Sequence, residues 1–345
     1  MKSLFTKLAP LGVAATIVVV SASSAQAECE EVFTLKYHNA YPPTLALYNK
    51  TSANFKKLVE EWSDGCIKFE NYESGALTSV AGMVDAADQG IIDVSHSWGA
   101  FYVGDVPAAD VEVGLPLAWD ETYEAYDAYY NRGLKEVIAE AYESRFNVKH
   151  FPSIIGLEYN IGLTKDIESL DDLKGMKLRA LGVYGEVAQQ LGASAVVIPG
   201  GELYTALQLG TVDGLIYGAE AMVAQGLEEF LKVVIVQPNL NAGAGHWLFN
   251  RDTWESLPPH LQEVINRAVD YGNLAGAMQY RIVEAKNIGV MDKAGVKMLE
   301  LSSEDQDRLN QIAVGLWDKI AERSDYAAKA VSIVKEQQRE FGQID

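Results

Sequence analysis

Arg179 is the side chain of this sequence best placed to do chemistry. It closes the run Met176-Lys177-Leu178-Arg179, which reads as a short strand behind Lys174-Gly175, and ligands of open α/β sheets collect at the carboxyl ends of strands. A guanidinium keeps its charge and presents a planar fork that fits a carboxylate or sulfonate with two parallel hydrogen bonds. The plainer reading is a surface arginine paired with Glu202 or Asp213. Tyr217 closes a second strand-like run, Val212–Tyr217, and can pack on a ligand while donating one hydrogen bond; a core tyrosine is the alternative. Trp98, Phe101 and Tyr102 follow the strand-like Ile91–Ser95 and offer an aromatic wall, although packing alone accounts for each of them singly.

Catalytic signatures are missing. The sequence has no HExxH, GxxxxGK[ST], GxSxG or CxxC. Gly243-Ala244-Gly245 is an incomplete dinucleotide signature, with Leu248 in the last glycine's place. The five histidines, His38, His96, His150, His246 and His260, are scattered and read as surface or satisfied side chains. His38 and His246 are the exceptions worth keeping, because each follows a strand-like segment near a Gly- or Pro-rich loop, and His38 is counted among the ligand-binding candidates. The expectation is a binding protein rather than an enzyme, with no metal and no cofactor. Cys29 and Cys66 lie just before two strands expected to be neighbours, so a disulfide is expected in an oxidising compartment, with free thiols as the alternative.

The elements that must position these residues alternate. Val32–Tyr37 is a strand, Thr44–Trp62 a helix, Ile67–Tyr72 a strand, Met83–Gln89 a short helix and Ile91–Ser95 a strand. Thr122–Ser144 reads as one helix and Val148–Ile155 as a strand that Pro152 interrupts. The rhythm restarts with strands at 176–180, 195–198 and 212–217 and helices at 183–191 and 201–209. This predicts two similar α/β lobes, each with a parallel, doubly wound sheet. Ser256 is expected to cap a helix that Pro258 and Pro259 begin and that runs to Met291, about 50 Å at 1.5 Å per residue, long enough to cross both lobes.

Lys2 and Lys7, the apolar run Leu11–Val20 and the small-x-small Ala25-Gln26-Ala27 mark residues 1–27 as a cleaved signal peptide, with an uncleaved anchor as the alternative. Glu28 directly before Cys29 argues against lipidation there. The chain has 345 residues, 28 Lys and Arg and 48 Asp and Glu, a net charge of −20. That acidity disfavours nucleic acid as a partner, and export of an acidic soluble body points to the periplasm.

A stretch of consecutive motifs goes further: Leu173-Lys174-Gly175-Met176-Lys177-Leu178-Arg179, then Leu191-Gly192-Ala193, Pro199-Gly200-Gly201-Glu202-Leu203-Tyr204-Thr205-Ala206-Leu207-Gln208 and Gly210-Thr211-Val212-Asp213-Gly214. In order and spacing these resemble the extracytoplasmic solute receptors of TRAP transporters, the DctP-type family. The TWESLPP entry to the long helix, Thr253–Pro259, fits as well. The resemblance implies a periplasmic binding protein fold: two Rossmann-like lobes joined by crossover strands and a long helix. Lobe I would take 28–151 plus about 240–275, lobe II 152–239 plus about 276–345, with the helix at about 258–291 spanning both. It also implies a ligand closed into the cleft and passed to the small and large subunits of a sodium-driven permease. Arg179 matches the arginine with which the family pairs the ligand's acid group.

Departures from the family pattern narrow the ligand. Sialic-acid and C4-dicarboxylate members carry a second arginine where Glu158 stands, and 2-oxo-acid members a glutamine there, with a metal-holding carboxylate where Ile216 stands. A Glu158 facing the cleft would be costly beside an anion unless the ligand brought a cation; the alternative is a glutamate that points to solvent or pairs with Arg179 as an orienter. The expected ligand is therefore a small carboxylate or sulfonate, including zwitterions such as an amino acid, a betaine or taurine, held by Arg179, Glu158, Tyr217, Trp98, Phe101 and His38. A solute-binding module for a sensor kinase, and a secreted hydrolase or isomerase, are the competing readings.

Overall fold

The computed structural model describes residues 29, 31–119, 121–154, 158–241 and 243–344, and the expected signal peptide lies outside them. Eleven strands are present in this span: β1 (Phe33–Asn39), β2 (Ile67–Tyr72), β3 (Val94–Ser97), β4 (Val148–Ile154), β5 (Glu158–Leu163), β6 (Lys177–Arg179), β7 (Ser194–Val196), β8 (Gly214–Gly218), β9 (Val233–Asn241), β10 (Ala244–Asn250) and β11 (Lys297–Glu300). They form two sheets, β2-β1-β3-β10-β4 and β11-β9-β5-β8-β6-β7, each covered by helices, which is the expected pair of α/β lobes. β4 runs on to β5, and β9 to β10, so adjacent strands of the chain lie in different sheets and tie the lobes together.

The sheets are mixed rather than parallel throughout. β1 pairs parallel with β2 and β3, and β6 with β7 and β8. β10 is antiparallel to both its neighbours, and so is β5. The βα rhythm fixes strand direction only where a helix crosses back over the same sheet. β5 and β10 arrive straight from the other lobe and escape that constraint. Pro152 does not break β4: this is an edge strand paired only with β10, and a proline costs no ladder bond on its open side.

Three local expectations are corrected. The helix expected over 122–144 is two helices, Thr122–Asn131 and Leu134–Glu143, split at Gly133, whose φ of 86° a side-chain-bearing residue rarely adopts. The strand expected at 91–95 begins only at Val94, where pairing with Tyr37 starts. Ser256 does not cap the long helix: it ends a short helix, Arg251–Ser256, and its hydroxyl donates to the Thr253 carbonyl at 2.7 Å. Pro258 precedes the long helix and Pro259 opens it.

That helix, Pro259–Lys293, has 35 residues and touches both lobes. Asn273 donates to the Pro152 carbonyl at 2.8 Å in the first lobe, and Glu284 accepts from the Ala219 and Glu220 amides in the second. Of the two helices that follow β11, Ser303–Ala321 packs on Val183–Gln190, and Asp325–Glu340 on Leu134–Glu143. The disulfide Cys29–Cys66 is formed and pins the chain before β1 to the start of β2. No helix among the described residues is long and apolar enough to cross a membrane.

Candidate ligand site between the lobes

β6 and β8 lie side by side, with Arg179 opposite Leu215; Arg179 closes β6, and Tyr217 is the last residue but one of the parallel neighbour β8. The Arg179 side chain is only 3% exposed. Its Nε donates to the Ile198 carbonyl at 3.1 Å and its Nη1 to the Ile216 carbonyl at 3.4 Å. The guanidinium carbon stands 4.7 Å from the centre of the Tyr217 ring, a cation–π distance. Two neutral carbonyls and one ring therefore orient the fork. Among the described residues no carboxylate lies within ion-pair distance of it: Asp213 instead accepts from Lys165 at 2.7 Å and from the Lys177 amide at 2.9 Å, and Glu202 is exposed. A buried cation without a counter-ion is costly.

Helix N-termini are the other anion acceptors of such a fold. Two helices start just beyond the ends of β6 and β8, Val183–Gln190 and Ala219–Ala224. Each has a glycine at its cap, Gly182 and Gly218, and neither glycine can cap with a side chain. Both ends are filled from elsewhere in the protein. Asp110 Oδ1 accepts from the Val183 amide at 3.1 Å, and Glu284 accepts from the Ala219 and Glu220 amides. Protein carboxylates thus occupy both helix ends.

The walls are aromatic. Tyr217 accepts at its hydroxyl from Gln225 Nε2 at 3.2 Å, and burial pushes its phenol above the ordinary range against the pull of Arg179, so it stays protonated. Gly200, in the Pro199-Gly200-Gly201 motif, gives that hydroxyl room, since a Cβ there would lie 3.0 Å from it. Tyr159 lies 6.4 Å from Tyr217 and 5.0 Å from Tyr184 between ring centres, and reaches across to Trp98 of the first lobe at 6.3 Å. Beside Trp98, Tyr41 packs on Tyr48 at 4.6 Å and donates to the Ser97 carbonyl. Gly245 allows this close approach, because a Cβ there would come within 2.9 Å of the Tyr41 hydroxyl. This contact, rather than nucleotide binding, accounts for the glycine of the partial dinucleotide signature.

The structure therefore groups Arg179, Tyr217 and, through Tyr159, Trp98. Phe101 is half-buried on the turn Gly99–Phe101, and none of these ring contacts involves it. Tyr102 points its hydroxyl at the Val80 carbonyl, 2.8 Å away. His38 is buried on β1 with Nε2 3.0 Å from the Glu73 carbonyl, and no bond or ring contact links it to Arg179. Glu158 begins β5 opposite Asn241, and its side chain lies outside the described residues. Sequence reasoning missed Tyr41, Tyr48, Tyr159 and Tyr184. Of these, Tyr159 carried a signal, standing next to Glu158.

Three of the histidines are not scattered. β3, β4 and β10 bring His96, His150 and His246 into the first lobe's core. His150 Nε2 lies 2.6 Å from Glu112 Oε1, His246 Nδ1 lies 3.1 Å from both Glu112 oxygens, and the Tyr142 hydroxyl donates to Oε2 at 2.7 Å. The donor atoms of Glu112, His150 and His246 fall within 4.8 Å of one another, a residue set that can ligate zinc. Here the imidazoles point straight at the carboxylate. A 2.6 Å contact is a charge-assisted hydrogen bond, closer than two ligands of one tetrahedral ion would stand, so the two imidazoles and Tyr142 satisfy the Glu112 carboxylate. Burial opposes the Glu112 charge, but His246 and His150 outweigh it and hold the carboxyl at about 2.

The chain and its fold are similar to known proteins. Residues 38–324 match the family described as DctP, bacterial extracellular solute-binding protein, family 7. The chain is 28% identical over 289 residues to the monocarboxylate 2-oxoacid-binding periplasmic protein of Nostoc sp., covering 80% of this chain and 76% of that one. It is 23% identical over 320 residues to the C4-dicarboxylate-binding periplasmic protein DctP of Rhodobacter capsulatus, covering 88% and 91%. Its fold is similar to the crystal structure of a TRAP periplasmic solute-binding protein from Pseudoalteromonas atlantica with bound sodium and pyruvate, with a TM-score of 0.83, 23% identity, and coverage of 90% of this chain and 95% of that one.

Proposed function

Because this chain belongs to family 7 of the bacterial extracellular solute-binding proteins, the DctP family, we propose that it is the periplasmic receptor of a TRAP transporter that takes a small organic acid onto Arg179 between its lobes. The single observation that carries this reading is a buried guanidinium, oriented by two carbonyls and a ring, with no carboxylate partner among the described residues. Ligand binding favours the shut arrangement of the lobes, and the loaded receptor hands its cargo to the two membrane subunits of a sodium-driven permease. Residues 1–27 direct export and are removed.

The site favours a ligand with one acid group and a compact body. One guanidinium serves one carboxylate or sulfonate, and both nearby helix ends are already filled. The rings of Tyr217, Tyr159 and Trp98 suit an apolar or cationic body rather than a second anion. Ile216 offers no side-chain oxygen to a metal, and its carbonyl is engaged by Arg179. Monocarboxylates, the class named for the Nostoc relative, and zwitterions both meet these conditions. In the zwitterionic case Glu158 receives the ligand's cationic nitrogen.

A thermal-shift screen of the mature protein against 2-oxo acids, dicarboxylates, sugar acids, amino acids and sulfonates tests the reading, since a specific ligand stabilises the folded state by mass action. A monoacid is expected to raise the melting temperature, and Arg179→Ala to abolish that rise. Loss of the rise for an amino acid in Glu158→Gln would mark a zwitterion. An unchanged rise would remove the glutamate from the site.

A further inference from the structure

We infer that Asp110 is a closure latch: a carboxylate fixed in the first lobe that caps the helix Val183–Gln190 of the second and holds the lobes together beside Arg179. The inference rests on the receptor reading above for the need to close, and it names a positioning residue outside the ligand's reach.

Asp110 and Glu112 share one short helix, Ala109–Glu112, and face opposite ways. Glu112 is anchored by His150 of β4 and His246 of β10, which fixes the helix to the first sheet. Two residues earlier, Asp110 reaches the second lobe. It is fully buried, and its Oδ1 accepts from the Val183 amide at 3.1 Å. Gly182, the cap position, has a φ of 52° and no side chain to do this itself, and a Cβ there would stand 3.2 Å from Asp110 Oδ1 and 3.5 Å from Ala100 Cβ of the first lobe. Sequence and geometry agree: the cap is left empty locally and supplied from across the cleft. Tyr184 of the same helix adds a second bond, from its hydroxyl to the Gly114 carbonyl at 3.0 Å.

A third element locks the contact. Arg323, in the turn between Ser303–Ala321 and Asp325–Glu340, donates from Nη1 to Asp110 Oδ2 at 2.5 Å and from Nη2 to Glu186. It thereby bridges the latch carboxylate to the helix being capped. Burial pushes the Asp110 carboxyl up to about 6 against the pull of Arg323, so at neutral pH it is ionised and accepts both bonds. The capped helix begins four residues after Arg179, so the latch closes on the segment that grips the acid.

The test is an inter-lobe distance measured by pulsed electron paramagnetic resonance on the ligand-free mature protein, with spin labels on Lys57→Cys and Lys174→Cys, both exposed and on different lobes. The latch predicts that Asp110→Ala lowers the ratio of short to long distances about tenfold, the scale of a lost hydrogen bond to a charged group, and that Arg323→Gln lowers it less. Distributions that coincide with the parent in both variants overturn it, and so does a fall in melting temperature without a change in distance. Should Asp110→Ala fail to fold, the partly exposed Arg323→Gln decides alone. No ligand enters the measurement, so its outcome is separate from that of Arg179→Ala in the ligand screen.

Discussion

The Arg179 guanidinium rests 4.7 Å from the centre of the Tyr217 ring, and the two residues lie towards the carboxyl ends of adjacent parallel strands. The ring covers one face of the fork and two carbonyls hold its Nε and Nη1, while Nη2 has no partner among the described residues. A planar donor held this way meets a carboxylate with its geometry already set, which reduces the ordering cost of binding.

This arrangement separates ring from hydroxyl at position 217. Tyr217→Phe keeps the stack and is expected to bind the acid found in the screen within about threefold of the parent. Tyr217→Leu removes a partly buried cation–π contact of about 1–2 kcal/mol, and affinity should fall about tenfold by isothermal titration. Equal losses in the two variants would assign the effect to the hydroxyl.

Gly200→Ala places a methyl 3.0 Å from the Tyr217 hydroxyl, at the end of a rigid ring. The ring must shift, and binding should weaken several-fold while the protein stays folded. Tyr217→Phe in the same chain removes the clashing oxygen and should restore affinity. A double variant no better than Gly200→Ala would place the defect elsewhere.

The Glu112 cluster predicts acid sensitivity. The carboxyl titrates at about 2 in the folded protein and at 4.5 when free, so it contributes stability above about pH 4.5 that is lost as the pH falls towards 2. His150, whose charged form burial disfavours, acts in the same direction, because unfolding lets it take a proton below its ordinary range. Denaturant unfolding should lose about 2 kcal/mol between pH 6 and pH 3 through Glu112 alone, and Glu112→Gln should flatten that slope. An equal slope in the variant would contradict the assignment.

The Cys29–Cys66 disulfide closes a loop with a sequence separation of 37. Restricting the unfolded chain this way is worth about 3–4 kcal/mol. Cys66→Ser, or reduction, should lower the unfolding free energy by that order while leaving the ligand-induced thermal shift in place, since both cysteines lie away from Arg179. Loss of binding on reduction would tie the bond to the site instead.

Much of this was legible in the sequence, for identifiable reasons. The strand ending at Arg179 showed because Lys174-Gly175 and Gly192 punctuate it, and the long helix because Pro258 and Pro259 open an apolar stripe. Strand direction did not show, because β5 and β10 enter from the opposite lobe and no local signal records that. The meeting of His150 and His246 at Glu112 was invisible for a similar reason: residues 38 and 134 positions distant from the carboxylate come together only through sheet register. The caps at Gly182 and Gly218 left a negative trace, a glycine where a capping side chain is usual, but nothing nearby named Asp110 or Glu284 as the replacement.

The most direct test of the central claim is a crystal structure of the mature protein loaded with the acid identified by the thermal-shift screen. The account predicts the acid group within hydrogen-bonding distance of the Arg179 fork, with Nη2 engaged and Tyr217 still stacked against the guanidinium. A ligand whose acid group sits elsewhere, or an Arg179 side chain turned away from it, would contradict the account.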